Sequence, residues 1–317
     1  MAAIEDLALL IGLVGLGPAC AREHPAMPES PAADPGDVPA EPAVVEVPYR
    51  SVRHQMLIDV RIEGEGPFTF LVDTGVTGAV IDSALAAKLG IELDDDEAQR
   101  IEQFGKTLLI HQIWIPELSV GELRLDRLQA AAVPMDMLGS RLGEPLHGIL
   151  GDGFLGSRAT RFDHVERTVS FAPSMEAFAE DVAAADHVMP LVMNASGDMP
   201  VVEVALGDKS FRATIDTGSS LGLEIFTPFA EELGLGGAMT EWTQSRVLGG
   251  SLGEAIVYDG TVDRLTIGPL ELTDVPTSIT PPRADPNRKG NLGNRLWEGY
   301  VMILDYPGRE IVLRKKA

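Results

Sequence analysis

From Val44 onward, apolar and polar residues alternate with a period of two over most of the chain, which predicts half-buried β-strands. Between Leu57 and Ile62 the residues Ile58, Val60 and Ile62 share one face. Gly64-Glu65-Gly66-Pro67 then turns the chain into a second run, where Phe68, Phe70 and Val72 form the inward row. That run ends in Asp73-Thr74-Gly75. Val80-Ile81 and a short helix over Asp82 to Leu89 follow, with Asp82 or Ser83 as its cap and Gly90 as its stop.

The same order recurs in the second half. Val202 to Leu206 predicts a strand, Gly207 to Ser210 a turn, and Phe211 to Ile215 a strand leading into Asp216-Thr217-Gly218. Ile225-Phe226 leads to a helix from Thr227 to Leu233, with Thr227 as cap, Pro228 at its first position and Gly234 as stop. Leu118 to Leu123 answers Leu265 to Leu270, and Gly148-Ile149-Leu150-Gly151 answers Gly290-Asn291-Leu292-Gly293. Phe162-Asp163 answers Leu304-Asp305, and Val169 to Phe171 answers Ile311 to Leu313. Asp216 follows Asp73 by 143 residues, a domain-sized offset that indicates duplication and fusion rather than a solenoid. A single Asp-Thr-Gly is ordinary turn chemistry; two copies, each closing a strand inside a longer repeat, are not explained that way.

The fold expected is all-β with short helices, in two similar lobes over 47–174 and 188–317, with a connecting helix over 175–187. Residues 21–46 are rich in Pro, Ala and acid, lack an apolar period, and read as an extended linker. Residues 1–20 contain an apolar run, Leu7 to Ala19, too short to span a bilayer but suited to a signal-peptide core. It closes on Cys20, the sole cysteine, in a sequence that resembles a bacterial lipoprotein box and makes Cys20 the lipidation candidate. Gly17, Pro18 and the acidic Glu5-Asp6 depart from that box, so a plain secretory signal is the alternative. The expectation is an exported protein: periplasmic, outer-membrane-anchored or extracellular, touching membrane only through an N-terminal lipid.

Among 317 residues the formal net charge is −23, which argues against nucleic acid, whose phosphates require a basic face. Gly151 to Gly156 spells a dinucleotide fingerprint, but alternating strand residues follow it rather than a helix. Gly218 to Gly222 and Gly249 to Gly253 match a serine nucleophile elbow, yet His187, the last histidine, precedes both, against the chain order of that hydrolase fold. The histidines show no paired spacing for zinc, and Asp94 to Glu97 lacks the spacing and glycine of a calcium loop. No metal is expected.

The two carboxylates remain. Delivered by equivalent loops, Asp73 and Asp216 can meet across a two-fold axis and share one proton, because neighbouring carboxylates cannot easily both ionise. The ionised member can take a proton from a bound water while the protonated one polarises a peptide carbonyl. Hydrolysis on that scheme needs no metal or cofactor.

Phe68 to Gly75, the strand and helix ending at Leu89-Gly90, and Ile149-Leu150-Gly151 together resemble a lobe of the retropepsin-like aspartic proteases. Asp216 to Ser220 with Asn291-Leu292-Gly293 resembles a second lobe, so the resemblance runs from residue 47 to the C-terminus. It implies that Asp73 and Asp216 are the catalytic dyad and that Thr74 and Thr217 lock the two loops together. Gly75 and Gly218 would bring N–H groups to the carboxylates, Ser219 would add a hydroxyl beside Asp216, and Ile149, Leu150, Gly151, Leu292 and Gly293 would pack behind the loops. A hairpin flap in each lobe would cover substrate, with Gly249, Gly250 and Ser251 as one tip and Gln103 to His111 as a poorer candidate for the other. Since one chain carries both lobes, a monomer would supply a complete site. Two departures stand out: Val76 occupies the position of Ser219, so that Asp216 becomes the more readily ionised member, and Asn291 replaces an apolar residue. The function expected is an exported aspartic endopeptidase acting on extended polypeptide. Its rivals are a catalytically silent peptide-binding module of the cell envelope, and a purely structural β-protein in which both triplets are turns.

Overall fold

The structure, a computed structural model, describes residues 44–103, 106–249, 253–281 and 287–316. The leader with Cys20, the linker up to residue 43, and Gly250 and Ser251 of the flap candidate lie outside the described residues. The chain forms two similar β-lobes joined by a shared sheet.

The N-terminal lobe is an eight-stranded sheet, in hydrogen-bonded order Arg50–Val52, Gln55–Ile62, Glu65–Val72, Gly148–Leu150, Ala79–Asp82, Leu123–Val133, Lys106–Val120 and Gln99–Gln103. A further pairing, Ile62 with Leu118, folds this sheet onto itself. The C-terminal lobe repeats the order with Val192–Met193, Pro200–Leu206, Lys209–Asp216, Gly290–Gly293, Leu223–Phe226, Leu270–Thr280, Gly253–Ile267 and Thr243–Gly249. Its closure falls at the matching place, Val204 with Ile267. The alternation explains the core: Ile58 faces Phe70 and Val60 faces Phe68 across neighbouring strands, and all four are buried. The N-terminal lobe also buries the opposite face. Leu57, Leu71, Val80 and Ile149 pack there against Met135, Leu138 and Leu142, brought by the helix Asp136–Leu142.

A third sheet joins the lobes, in the order Val45–Pro48, Thr168–Ala172, Ala159–Asp163, Tyr300–Asp305, Glu310–Lys315, His187–Pro190. Its first three strands belong to one half and its last three to the other, meeting at the antiparallel pair Phe162 with Met302. The connecting helix is shorter than its Ala-rich sequence predicts. A 3-10 turn over Met175–Phe178 runs into an α-helix over Ala179–Ala183, and His187–Pro190 is a strand paired with Glu310–Leu313. Sheet pairing at the lobe junction overrides local helical preference there. Asp82 does cap the first helix, accepting from Leu85 N–H at 3.3 Å. Thr227 does not cap its own: its hydroxyl donates to the Thr280 carbonyl at 2.8 Å, and Phe226 holds the cap position.

Candidate active site

Each catalytic strand ends where its aspartate leaves the sheet. Glu65–Val72 delivers Asp73 and Lys209–Asp216 ends on Asp216. Both carboxylates are buried, at 1% and 0% exposure, so any charge there is carried without bulk solvent. Within each loop the aspartate accepts from the glycine two residues on: Gly75 N–H to Asp73 Oδ1 at 2.8 Å, Gly218 N–H to Asp216 Oδ1 at 3.1 Å. The glycines are required by the partner loop. A Cβ on Gly75 would stand 2.6 Å from Asp216 Cγ, and one on Gly218 would fall on the Asp73 carboxylate. Each loop thus lies directly against the other's acid.

Thr74 and Thr217 tie the loops reciprocally. Thr74 N–H donates to Thr217 Oγ1 and Thr217 N–H to Thr74 Oγ1, both at 3.0 Å. Each hydroxyl then donates to the opposite catalytic strand, Thr74 to the Ile215 carbonyl at 2.6 Å and Thr217 to the Val72 carbonyl at 2.9 Å. Behind the loops, Leu71 pairs with Ile149 and Val72 with Leu150, as Ile215 pairs with Leu292 and Asp216 with Gly293. Gly151 and Gly293 admit the carbonyls of Val76 and Leu221, which a Cβ would strike.

Burial, then the adjoining Asp216 carboxylate, push the Asp73 carboxyl well above the usual carboxylate range, while the Gly75 N–H and the Arg288 guanidinium pull the other way without offsetting them. Asp73 Oδ2 is buried and accepts no N–H or O–H from the described residues, and Asp73 has the Asp216 carboxyl as its side-chain neighbour. Asp216 is differently placed. Its Oδ1 also accepts from Ser219 N–H at 3.1 Å, and its Oδ2 accepts from Arg288 at 2.8 Å. The two aspartates therefore differ in their contacts, though not through the Ser219 hydroxyl that the sequence suggested. Ser219 serves Asp216 through its backbone N–H, its hydroxyl accepts from Leu221 N–H at 3.3 Å, and the charge partner is Arg288.

Sequence reasoning missed several contributors. Arg288 lies in the charged, proline-rich stretch Pro281 to Lys289, whose sequence reads as a loop. Gln55 donates from its side-chain amide to the Gly218 carbonyl, crossing from one lobe to the other. Asn294 donates to the Thr217 carbonyl, and its counterpart by position, Asp152, accepts from Gly78 N–H. Asn291 is a buried partner of Arg288, and Glu224 a buried partner of Asn291; the break in apolar symmetry at Asn291 was the signal available for them. Both flap segments are hairpins, Gln99–Gln103 with Lys106–Ile110 and Thr243–Gly249 with Gly253–Asp259. Gly249 closes the second, paired with Gly253. Among the described residues no cluster of His, Cys, Asp and Glu could hold a metal.

The family model described as Aspartyl protease matches residues 58–156 and 202–296, one segment in each lobe and together more than half of the chain. No curated protein matches the sequence. Among solved structures, Basic 7S globulin from soybean superposes with a TM-score of 0.49 at 10% identity, covering 86% of this chain and 94% of that one. The chain belongs to the aspartyl protease family, with both of its lobes in a single polypeptide.

Proposed function

We propose that this protein is an endopeptidase that hydrolyses peptide bonds in extended polypeptide with a water held between Asp73 and Asp216. One observation carries the reading: two buried carboxyls, one from each lobe, adjoin in a setting that keeps the Asp73 proton in place. With that proton on Asp73, the charge of the pair falls on Asp216. The ionised carboxylate takes a proton from the water as its oxygen attacks the scissile carbonyl carbon. Asp73 gives its proton to the carbonyl oxygen, leaving a neutral tetrahedral diol. Collapse breaks the C–N bond: the leaving nitrogen receives the proton held by Asp216, and Asp73 recovers one from a diol hydroxyl. No covalent intermediate forms. The two hairpins suit a substrate bound as an added strand, with side chains in alternating pockets.

The full chain should cut a mixture of unstructured peptides at internal bonds. In water enriched in oxygen-18, the label should enter the new carboxyl group. A silent peptide-binding module is the second reading, and the pairing of Arg288 with Asp216 Oδ2 is the feature that favours it. Peptides retained uncut by the wild type would select it. Leu7 to Cys20 supports placing the protein outside the cytoplasm, held by lipid at Cys20, as a further part of this proposal.

A further inference from the structure

The two lobes are built alike down to a single row of residues, and there they differ in kind. In the N-terminal lobe, Leu71 and Val80 flank Ile149 on neighbouring strands, and Leu146 precedes Ile149 by three positions. All four are buried and apolar. At the corresponding places the C-terminal lobe has Thr214 and Glu224 flanking Asn291, with Arg288 three positions earlier. Glu224, Asn291 and Arg288 form a chain with Thr280 and Asp216. Thr280 Oγ1 donates to Glu224 Oε1 at 2.7 Å, and Asn291 Nδ2 donates to Glu224 Oε2. Arg288 Nε donates to Asn291 Oδ1 at 2.8 Å, and its NH2 group to Asp216 Oδ2 at 2.8 Å. Glu224 and Asn291 are fully buried, and the Arg288 side chain is 8% exposed.

Such a chain is costly if only stability is served, because an apolar row is often equal or better at such sites, and the sister lobe has one. An arginine that merely happened to reach Asp216 would not be gripped from behind by a buried amide that a buried carboxylate holds in turn. We propose that Arg288 is a positioning residue for the dyad: held by Asn291, which Glu224 anchors in turn, it fixes the pair's negative charge on Asp216 and leaves Asp73 to carry the proton. The proposal rests on the peptidase reading and assigns the acid and base roles within it. It also gives Asn291 a reason, as the hinge that aims the guanidinium.

The charged and titratable surroundings among the described residues are as follows. Asp73 faces Asp216 from the opposite catalytic strand, and Arg288 from the segment before Gly290–Gly293. Glu224, on Leu223–Phe226, acts through Asn291. Tyr306, wholly buried beyond Tyr300–Asp305, is raised by burial and then by Asp152 and Asp73. Of these groups only Arg288 is cationic. A cation there favours the singly charged dyad over the neutral one and the doubly charged dyad over the singly charged one. Removing it therefore moves both limbs of the activity profile to higher pH, the acid limb further because the contact is with Asp216.

The test is kcat and kcat/KM against pH for the full chain and for Arg288→Met, Arg288→Gln and Arg288→Lys. The Gln variant keeps a donor and loses the charge, and the Lys variant restores the charge. The acid limb should move up by about one pH unit or more in Met and Gln, with kcat falling about tenfold at the acid end and KM little changed. In Lys it should return towards wild type. A profile unmoved in both Met and Gln overturns the proposal. Carbon-13 resonances of the aspartate carboxyls, titrated in the same folded variants, read the dyad without turnover. There the pH at which the pair takes up its second proton should rise by about one unit in Met and Gln, and no rise overturns the role of Arg288. A wild type that cleaves nothing would sink the peptidase reading, while the carboxyl titration still decides this one.

Discussion

Thr74 and Thr217 exchange hydrogen bonds across the lobe boundary, each hydroxyl accepting the other's N–H at 3.0 Å and donating to a carbonyl of the opposite catalytic strand. Both are fully buried, so losing one hydroxyl orphans an N–H and a carbonyl. Thr74→Val and Thr217→Val should each cost roughly 1–3 kcal/mol per group left unpaired. The double variant should cost less than the sum, since the singles break a shared network. Chemical denaturation of the three variants checks both the size and the coupling.

Asp73 gives stability a definite dependence on pH. Its folded proton affinity exceeds that of the unfolded chain, so its contribution is fully present below the unfolded value near 3.8 and is lost as pH rises towards the folded value. In that window the wild type should lose up to about 1.4 kcal/mol per pH unit relative to Asp73→Asn, which has no proton to lose. Thermal unfolding of both proteins across that window measures the difference, and parallel curves would contradict the assignment.

Gly75→Ala and Gly218→Ala should abolish activity by displacing the opposite carboxylate, because the added methyl enters the space of Asp216 or Asp73. The reciprocal threonine bonds cannot survive that displacement intact. Loss of activity should therefore come with lowered stability, unlike the loss from replacing either aspartate by asparagine.

What the sequence makes legible follows from the duplication. Asp73 and Asp216, the threonines, and the glycines all lie in matched strand-to-turn segments, so each copy vouches for the other. The N-terminal half also prints its core plainly, because Ile58, Val60, Phe68 and Phe70 alternate. The rest depends on pairings between distant strands, which no local pattern records. Phe162-Asp163 and Leu304-Asp305 are visible as repeats, but not as neighbours in one sheet. His187, which starts the strand His187–Pro190, reads as the end of a helix because that strand's partner, Glu310–Leu313, is more than a hundred residues away. Arg288 escapes for a different reason: a charged residue among prolines has every local mark of a loop, and its bonds to the buried Asn291 and Asp216 turn it inward.

If Cys20 carries lipid, Cys20→Ser should release the protein from membranes without changing its rate on soluble peptide. Fractionation of cells making each form, with labelling by a radioactive fatty acid, checks this. Label retained in the Ser variant would contradict the assignment.

The central claim is that one proton is shared by two acids, one from each lobe. Its most direct measurement is the cleavage rate of an unstructured peptide by wild type, Asp73→Asn and Asp216→Asn, each verified as folded by near-ultraviolet circular dichroism. The account predicts a loss of about 10²- to 10⁴-fold or more in each variant. Undiminished turnover in either would contradict it.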